Sequence, residues 1–139
     1  MTAKEIMRAV REAEERVRDL KAQRAHYMDV ATQASAVMGD GIHSGSGGSR
    51  VESAVMRLAD IDRQIEAATE AYTAAHVRAA GLIGQLHGSR ARRLMTLRYL
   101  CRASWRDIQA EMGYEDDKSA FRLHGAALAE MDRILQNAG

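Results

Sequence analysis

Apolar and small residues recur along this chain at alternating intervals of four and three, in two long stretches that contain no proline. This alternation is the spacing of a coiled-coil seam, and the absence of proline allows a helix to continue without interruption. The stretches predict two helices of about 36 residues, each about 54 Å long at 1.5 Å per residue. The first seam is Ile6, Val10, Ala13, Val17, Leu20, Arg24 as a break, Tyr27, Ala31, Ala34 and Met38, and the second is Val51, Ala54, Leu58, Ile61, Ile65, Ala68, Tyr72, Ala75, Ala79, Leu82 and Leu86.

Capping signals and a glycine-rich segment set the helix boundaries. Thr2 with Glu5 predicts a capping box for the first helix, and Ser49 with Glu52 predicts one for the second. Residues 39–49 hold five glycines and three serines, a composition typical of a flexible loop. We expect helices over about residues 3–38 and 50–87, joined by this loop.

A loop between two helices of equal length favours an antiparallel, coiled-coil-like hairpin over residues 1–88. Two helices with alanine-rich seams bury little apolar surface, so we expect a second copy to complete a four-helix arrangement, as a homodimer through the hairpin. The alternative is a solvated rod that needs no partner. In each pair expected to meet, a large residue faces a small one: Val17 with Tyr72, Leu20 with Ala68 and Ala31 with Leu58.

The last third of the chain, residues 89–139, differs in charge and aromatic content. The whole sequence has 20 basic and 19 acidic residues, yet residues 90–106 contain six arginines and no acid. Three further helices are expected here, one from Arg90 to about Leu100 capped by Ser89, a short one capped by Ser104 and ended by Gly113, and one over about residues 117–136. A short helix, a glycine-bearing turn and a longer helix together form the helix-turn-helix pattern. The predicted fold class is therefore all-α, with a long antiparallel hairpin followed by a helix-turn-helix head. Tyr99 and Trp105 are interpreted as core, and Phe121 is expected to complete the core with Trp105 rather than touch a thymine methyl group.

The stretch from Leu97 to Met131 resembles region 4 of bacterial primary-type sigma factors. The matching residues, in order, are Leu97-Arg98-Tyr99, Ser104-Trp105-Arg106-Asp107-Ile108, Gly113, Arg122-Leu123-His124 and Ala127-Leu128. With Met1 to Glu5 at its start and Ile42 to Gly47 in its loop, the whole chain is similar to small phage and prophage proteins of Gram-positive bacteria, relatives of the ArpU and RinA late-gene transcription regulators. The resemblance implies a DNA-binding late-gene activator in the cytoplasm of the bacterial host.

Two features depart from the sigma-factor pattern. The turn before the fourth helix usually carries glycine, whereas this chain has Cys101-Arg102-Ala103, where a residue held at positive φ costs about 1 kcal/mol, so a reshaped turn is expected. Glu115, Asp116 and Asp117 also place three acids where phosphate would lie, and helix capping by Asp116 or Asp117 is a structural reason for one of them.

If the last helix enters the major groove of double-stranded DNA, its first two turns read bases, and Arg122 is placed to bond guanine O6 and N7. Ser104 and Arg106 are placed to hold phosphate. The arginine cluster adds nonspecific attraction, so Arg92→Ala is expected to weaken binding to all sequences alike; the alternative is a solvated helix face. The candidate DNA-binding residues are Ser104, Arg106, Asp117, Lys118, Ser119, Arg122, Arg92, Arg93 and Arg98.

Other classes of function find little support in the sequence. The five histidines are scattered and have no metal-ligand spacing with Cys101, and residues 45–49 lack the ending of a phosphate-binding loop. We therefore expect no enzymatic activity, cofactor or metal. A single cysteine, a polar N-terminus and the lack of an apolar run of about 20 residues argue against disulfides, a secretory signal and a membrane span. Two alternatives to regulation stay open: an adaptor that contacts RNA polymerase or another phage protein, and a small-terminase-like DNA-packaging subunit.

Overall fold

The computed structural model describes residues 1–39 and 46–138, together with the side chains outside residues 34–39 and 46–47. Within these residues the chain is all-α and has no strand, as the periodicity predicts. Over the same ranges, no helix has both the length and the apolar character needed to cross a membrane. The helices are α1 (Ala3–Gly39), α2 (Ser46–Gly84), α3 (Ser89–Met95), α4 (Trp105–Met112) and α5 (Asp117–Ala138), and α3 continues directly into a π-helical turn (Thr96–Leu100).

The first helix begins with the predicted capping box. The Thr2 amide donates to Glu5 Oε2 at 2.8 Å, and the Glu5 amide donates to Thr2 Oγ1 at 3.2 Å. The second predicted box is wrong, because α2 begins at Ser46 and Ser49 therefore lies inside the helix. Each glycine in the first turn of α2 lowers helix stability by about 1 kcal/mol relative to alanine, and the packing of the long helix that follows offsets this cost. Residues 40–45 of the predicted loop lie outside the described residues.

Both predicted seams face inward. Every seam residue whose side chain is described is buried or half-buried, so the alternation of four and three identifies the covered face of each long helix. The chain forms two compact units, which we call the hairpin unit (Glu14–Ala71) and the head unit (Met1–Ala13 with Tyr72–Gly139). The head unit thus contains the first turns of α1 and the last turns of α2. The domain boundary predicted from the sequence differs, because it placed both helices entirely in a hairpin over residues 1–88.

In the hairpin unit the two helices run antiparallel and are joined by polar contacts between their surfaces. Arg24 Nε lies 2.6 Å from Asp62 Oδ1, and Arg16 Nη2 donates to Gln64 Oε1 at 3.2 Å. Among the described side chains of this unit, the fully buried apolar ones are Leu20, Ala54 and Ile61. In contrast, three large apolar side chains of this unit are exposed to solvent, those of Met28, Val55 and Met56.

The head unit has a continuous apolar core to which all five helices contribute. The largest side chains within it include Leu94, Ile108 and Met131, each with no exposed surface. Three of its members, Ala3 and Met7 of α1 and Ile83 of α2, lie off the predicted seams, because both helices pack against further helices in this unit. The core consists of Ala3, Ile6, Met7, Val10, Ala79, Leu82, Ile83, Leu86, Ala91, Leu94, Met95, Ile108, Met112, Ala120, Ala127 and Met131.

Candidate nucleic-acid interface

Helices α4 and α5 meet at a corner made by one glycine. Gly113 ends α4 with φ +71° and ψ +27°, the left-handed conformation that glycine adopts without steric cost. The Tyr114 amide then donates to the Gln109 carbonyl at 3.0 Å, which satisfies one of the last free carbonyls of α4. Short helix, glycine turn and longer helix therefore occur in the predicted order and at the predicted residues.

The start of α4 is capped as predicted. The Asp107 amide donates to Ser104 Oγ at 3.1 Å, so the serine hydroxyl satisfies one of the free amides of the first turn. The prediction that Ser89 caps α3 is wrong, because Gly88 occupies the cap and Ser89 is the first helical residue. The side chain of Arg106 projects from the first turn of α4 and is exposed.

Asp116 is the residue that caps α5. Its Oδ1 accepts from the Ser119 amide at 3.2 Å and from Ser119 Oγ at 3.4 Å. Ser119, a predicted DNA contact, is thus half-buried and its hydroxyl is directed to Asp116. The side chains of Asp117, Lys118 and Arg122 are exposed. The first two turns of α5 therefore present two cations and one carboxylate to solvent.

The turn between the π-helical segment and α4 retains a left-handed residue, so the expected reshaping does not occur. Arg102, in the middle of the Cys101-Arg102-Ala103 turn, has φ +60°. The Ala103 amide donates to the Leu97 carbonyl at 2.8 Å, and the Cys101 amide donates to the Thr96 carbonyl at 2.9 Å. These bonds close the helix end around a left-handed residue, a position in which a side chain costs about 1 kcal/mol.

Most of the arginine cluster is engaged with backbone carbonyls at the ends of helices. Arg92 Nη1 donates to the Leu86 carbonyl at 2.7 Å and the His87 carbonyl at 3.1 Å, just beyond α2. Arg90 Nη2 donates to Met112 O at 3.0 Å at the end of α4. Such carbonyls lack helical partners, and a guanidinium satisfies them while complementing the helix dipole.

Arg93 and Arg98 also donate to backbone carbonyls, Arg93 at the end of α4 and Arg98 in the turn before α4. Arg93 Nη2 lies 3.4 Å from the Glu111 carbonyl, and Arg98 Nη1 lies 3.3 Å from the Ala103 carbonyl. The Arg98 guanidinium also lies over the Trp105 ring, 4.6 Å from its centroid. The sequence offered two explanations for this cluster, attraction of DNA and a solvated helix face. Neither includes the hydrogen bonds to backbone carbonyls that these four arginines share.

Phe121 does not complete the core. It packs edge-to-face on Trp105 with ring centroids 4.9 Å apart, but 47% of its surface is exposed. The prediction is wrong because the adjacent Ala120 faces the core, and the next position on α5 is rotated by about 100° away from it. Trp105 itself is half-buried against the core.

Tyr99 and His124 join the segment before α4 to the middle of α5. The Tyr99 hydroxyl lies 2.6 Å from His124 Nε2. Burial lowers the pKa of His124, and the charges of Arg98 and Lys4 lower it further. Burial likewise raises the pKa of Tyr99, so this pair is held neutral at physiological pH.

A cleft of about 280 Å³ opens beside this pair and contains cations that the sequence interpretation missed. Lys4, Arg8 and Arg11 of α1 line it together with Arg98, Tyr99, Trp105 and His124. Intervals of four and three place the three α1 cations on one helix face, which is a signal visible in the sequence. Nothing in the sequence linked that face to the C-terminal segment.

Within the described residues, no group of three or more histidine, cysteine or acidic side chains is arranged to hold a metal ion. Comparison of the chain with known protein families, curated proteins and solved structures found no match.

Proposed function

We propose that this chain is a phage-type, DNA-binding transcription regulator, related to the ArpU and RinA late-gene regulators that its sequence resembles. The observation that carries the proposal is the set of exposed cations around the α4–α5 corner. Arg106 projects from the first turn of α4, and Lys118 and Arg122 project from the first two turns of α5. Helix-turn-helix proteins use these two places for phosphate and base contacts.

In the proposed complex the first half of α5 lies in the major groove. Arg122 donates to O6 and N7 of a guanine, the commonest specific contact in that groove. Arg106 and the free amides beside the Ser104 cap contact a backbone phosphate, which orients the head without reading sequence. Asp116 acts by capping α5, and Ser119 supports the cap rather than the DNA contact.

The proposal includes a homodimer formed through the hairpin unit. Met28, Val55 and Met56 expose 42%, 53% and 73% of their surfaces there. Exposed apolar side chains on helices with a small core favour association with a second copy. Two heads per dimer would then bind two half-sites of DNA, in keeping with the symmetry of most regulators with this motif.

A second candidate function is an adaptor that docks on RNA polymerase or another phage protein. It is favoured by the exposed carboxylates of Glu115 and Asp117 at the start of α5 and by the exposed ring of Phe121. Carboxylates repel DNA phosphates, and an exposed aromatic ring is frequent in protein interfaces.

Selection from a random duplex library, followed by titration of the selected and a scrambled duplex at two salt concentrations, tests the first proposal. We expect Arg122→Ala to weaken binding to the selected duplex by about 1–3 kcal/mol and to leave the scrambled duplex nearly unaffected. Arg133→Ala is the matched control, because it removes an exposed cation about 16 Å further along the same helix. If no sequence is enriched, the adaptor becomes the preferred function.

A further inference from the structure

We propose that the cleft between the start of α1 and the head helices is a binding site for a nucleotide phosphate. Four cations line it, namely Lys4, Arg8, Arg11 and Arg98, and no carboxylate does so among the described residues. This site is distinct from the exposed surface of α5 and involves a helix that the sequence assigned to oligomerisation.

The three α1 cations have no structural task that accounts for them. Unlike the arginines of the cluster in residues 90–98, Lys4, Arg8 and Arg11 make no hydrogen bond or ion pair to any described residue. Acidic residues also occur along this part of α1, but none of the described ones lines the cleft, so the concave wall itself is basic.

The charges are close enough to affect one another. The pKa of Arg98 is lowered by its burial and then by the charge of Arg11. The charges of Arg8 and Arg11 also act on the Tyr99 hydroxyl, and that of Lys4 acts on His124. Like charges collected in a partly buried cleft raise the energy of the empty site, and an anion placed among them offsets that repulsion.

The shape and walls of the cleft indicate the kind of anion. A volume of about 280 Å³ lies just below the roughly 300–1,000 Å³ typical of small-molecule sites. Arginine guanidinium groups bind phosphate oxygens in a fork, and Tyr99 and Trp105 also line the cleft, where an attached sugar or base would contact them. The site therefore fits one phosphate with one adjoining group.

The location of the cleft leaves two sources for that phosphate. Trp105 is the first residue of α4 and adjoins Ser104 and Arg106, so a backbone phosphate of bound DNA can reach the cleft. A free mononucleotide has the same chemistry. If the phosphate belongs to DNA, the inference rests on the proposed function and α1 extends the DNA interface. If the phosphate belongs to a free mononucleotide, the cleft is an effector site and does not depend on the proposed function.

Fluorescence of Trp105, the single tryptophan of the chain, provides the readout at the cleft itself. The full chain is titrated with adenosine monophosphate, with inorganic phosphate and with a 20-base-pair duplex at two salt concentrations. The variant Arg8→Gln/Arg11→Gln removes two cleft cations. The control Arg18→Gln/Arg63→Gln removes the same charge from exposed positions of the hairpin unit.

We expect at least one probe to change the fluorescence saturably, with at least tenfold weaker binding for Arg8→Gln/Arg11→Gln and no more than twofold for the control. A response to the mononucleotide or to phosphate assigns a free ligand. A response to the duplex alone, with a salt slope reduced by about 1–2, assigns a backbone phosphate. Circular dichroism verifies folding, and Lys4→Gln serves as a milder second variant.

The inference is overturned if the cleft variants bind all three probes as the wild type does. That result leaves the proposed function intact when Arg122→Ala still abolishes sequence preference. Conversely, a mononucleotide response in a chain that binds no duplex supports the cleft and contradicts the DNA-binding proposal.

Discussion

The backbone amide of Ala3 donates a hydrogen bond of 2.8 Å to Oδ1 of Asp132, a residue 129 positions further along the chain. Ala3 is the first residue of α1, where amides have no helical partner, and Asp132 lies on α5. The carboxylate therefore satisfies a free amide and complements the positive end of the α1 dipole. This bond holds the start of α1, and with it Lys4, beside the head helices.

Removal of that carboxylate should destabilise the head unit. We expect Asp132→Ala to lower the free energy of unfolding by about 1–2 kcal/mol, as for loss of a helix N-cap, and Asp132→Asn to lower it less, because its amide oxygen still accepts. Urea denaturation followed by circular dichroism measures both. The exposed Asp29, changed to Ala, serves as control and should alter stability by less than about 0.5 kcal/mol. Equal stability of Asp132→Ala and wild type would contradict the role of this bond.

Two glycines have equally open surroundings, yet their substitution by alanine should change the stability of the fold in opposite directions. A Cβ added at Gly113 or at Gly125 would meet no atom within 4 Å. Gly113 has φ +71°, so Gly113→Ala should cost about 1 kcal/mol of stability. Gly125 lies inside α5, so Gly125→Ala should add up to about 1 kcal/mol. Thermal unfolding of the pair measures the difference, and changes of the same sign would refute the backbone assignment at Gly113.

Substitution of Arg92 should lower the stability of the fold, whereas substitution of Arg106 should weaken DNA binding. Arg92→Ala leaves the Leu86 and His87 carbonyls without their donor, so we expect a loss of about 1–2 kcal/mol in unfolding free energy. Arg106→Ala should leave stability within about 0.5 kcal/mol but weaken binding to every duplex and reduce the salt slope by about 1. A reduced salt slope for folded Arg92→Ala would instead support the nonspecific attraction to DNA that the sequence predicts for this arginine.

Stability should decline in mildly acidic solution because of His124. A free histidine titrates near pH 6.5, and burial and the charges of Arg98 and Lys4 lower the pKa in the folded chain. As the pH falls below 6.5 the unfolded chain takes up this proton first, so the histidine contribution is complete above pH 6.5 and is lost below it. Urea midpoints between pH 7.5 and about 5 measure the decline.

The same experiment with His124→Gln isolates that contribution. The variant has no titrating ring beside Tyr99 and Trp105, so its midpoint should vary less with pH than that of the wild type. Glu130, whose pKa is lowered by the hydrogen bonds from His87, does not add to the decline in this range, because its contribution is lost only below the ordinary glutamate value near 4.5. Identical pH profiles for variant and wild type would show that His124 does not titrate in this range.

The proposed dimer is tested by placing charge in the exposed apolar surface of the hairpin unit. Met56→Glu should shift the mass measured by light scattering from that of two chains to that of one, because the interface would bury an unpaired carboxylate. Glu66→Gln, an exposed change on the same helix, is the control. A wild-type mass of one chain would contradict the dimer, and a mass of eight or more chains would favour the packaging subunit.

Features that depend on neighbouring residues were predictable from the sequence. The capping box at Thr2 and Glu5, the cap at Ser104, and the left-handed glycine at Gly113 each involve residues no more than five positions apart. The seams were predictable for the same reason, because helical periodicity alone decides which residues share a face. The start of α2 was not, since glycine disfavours a helix by an amount that a long following helix offsets.

Roles that depend on distant partners were decided by the tertiary structure. In the sequence, Arg90, Arg92, Arg93 and Arg98 resemble a basic patch, but each of them donates to a backbone carbonyl when the chain folds. Sequence by itself determined the all-α class, the two seams and the caps at Thr2 and Ser104, because these follow from local sterics and hydrogen bonding. Tertiary packing determined which charges are engaged in the fold and which line the cleft, because a charge acquires its role from partners that the chain brings within a few ångströms.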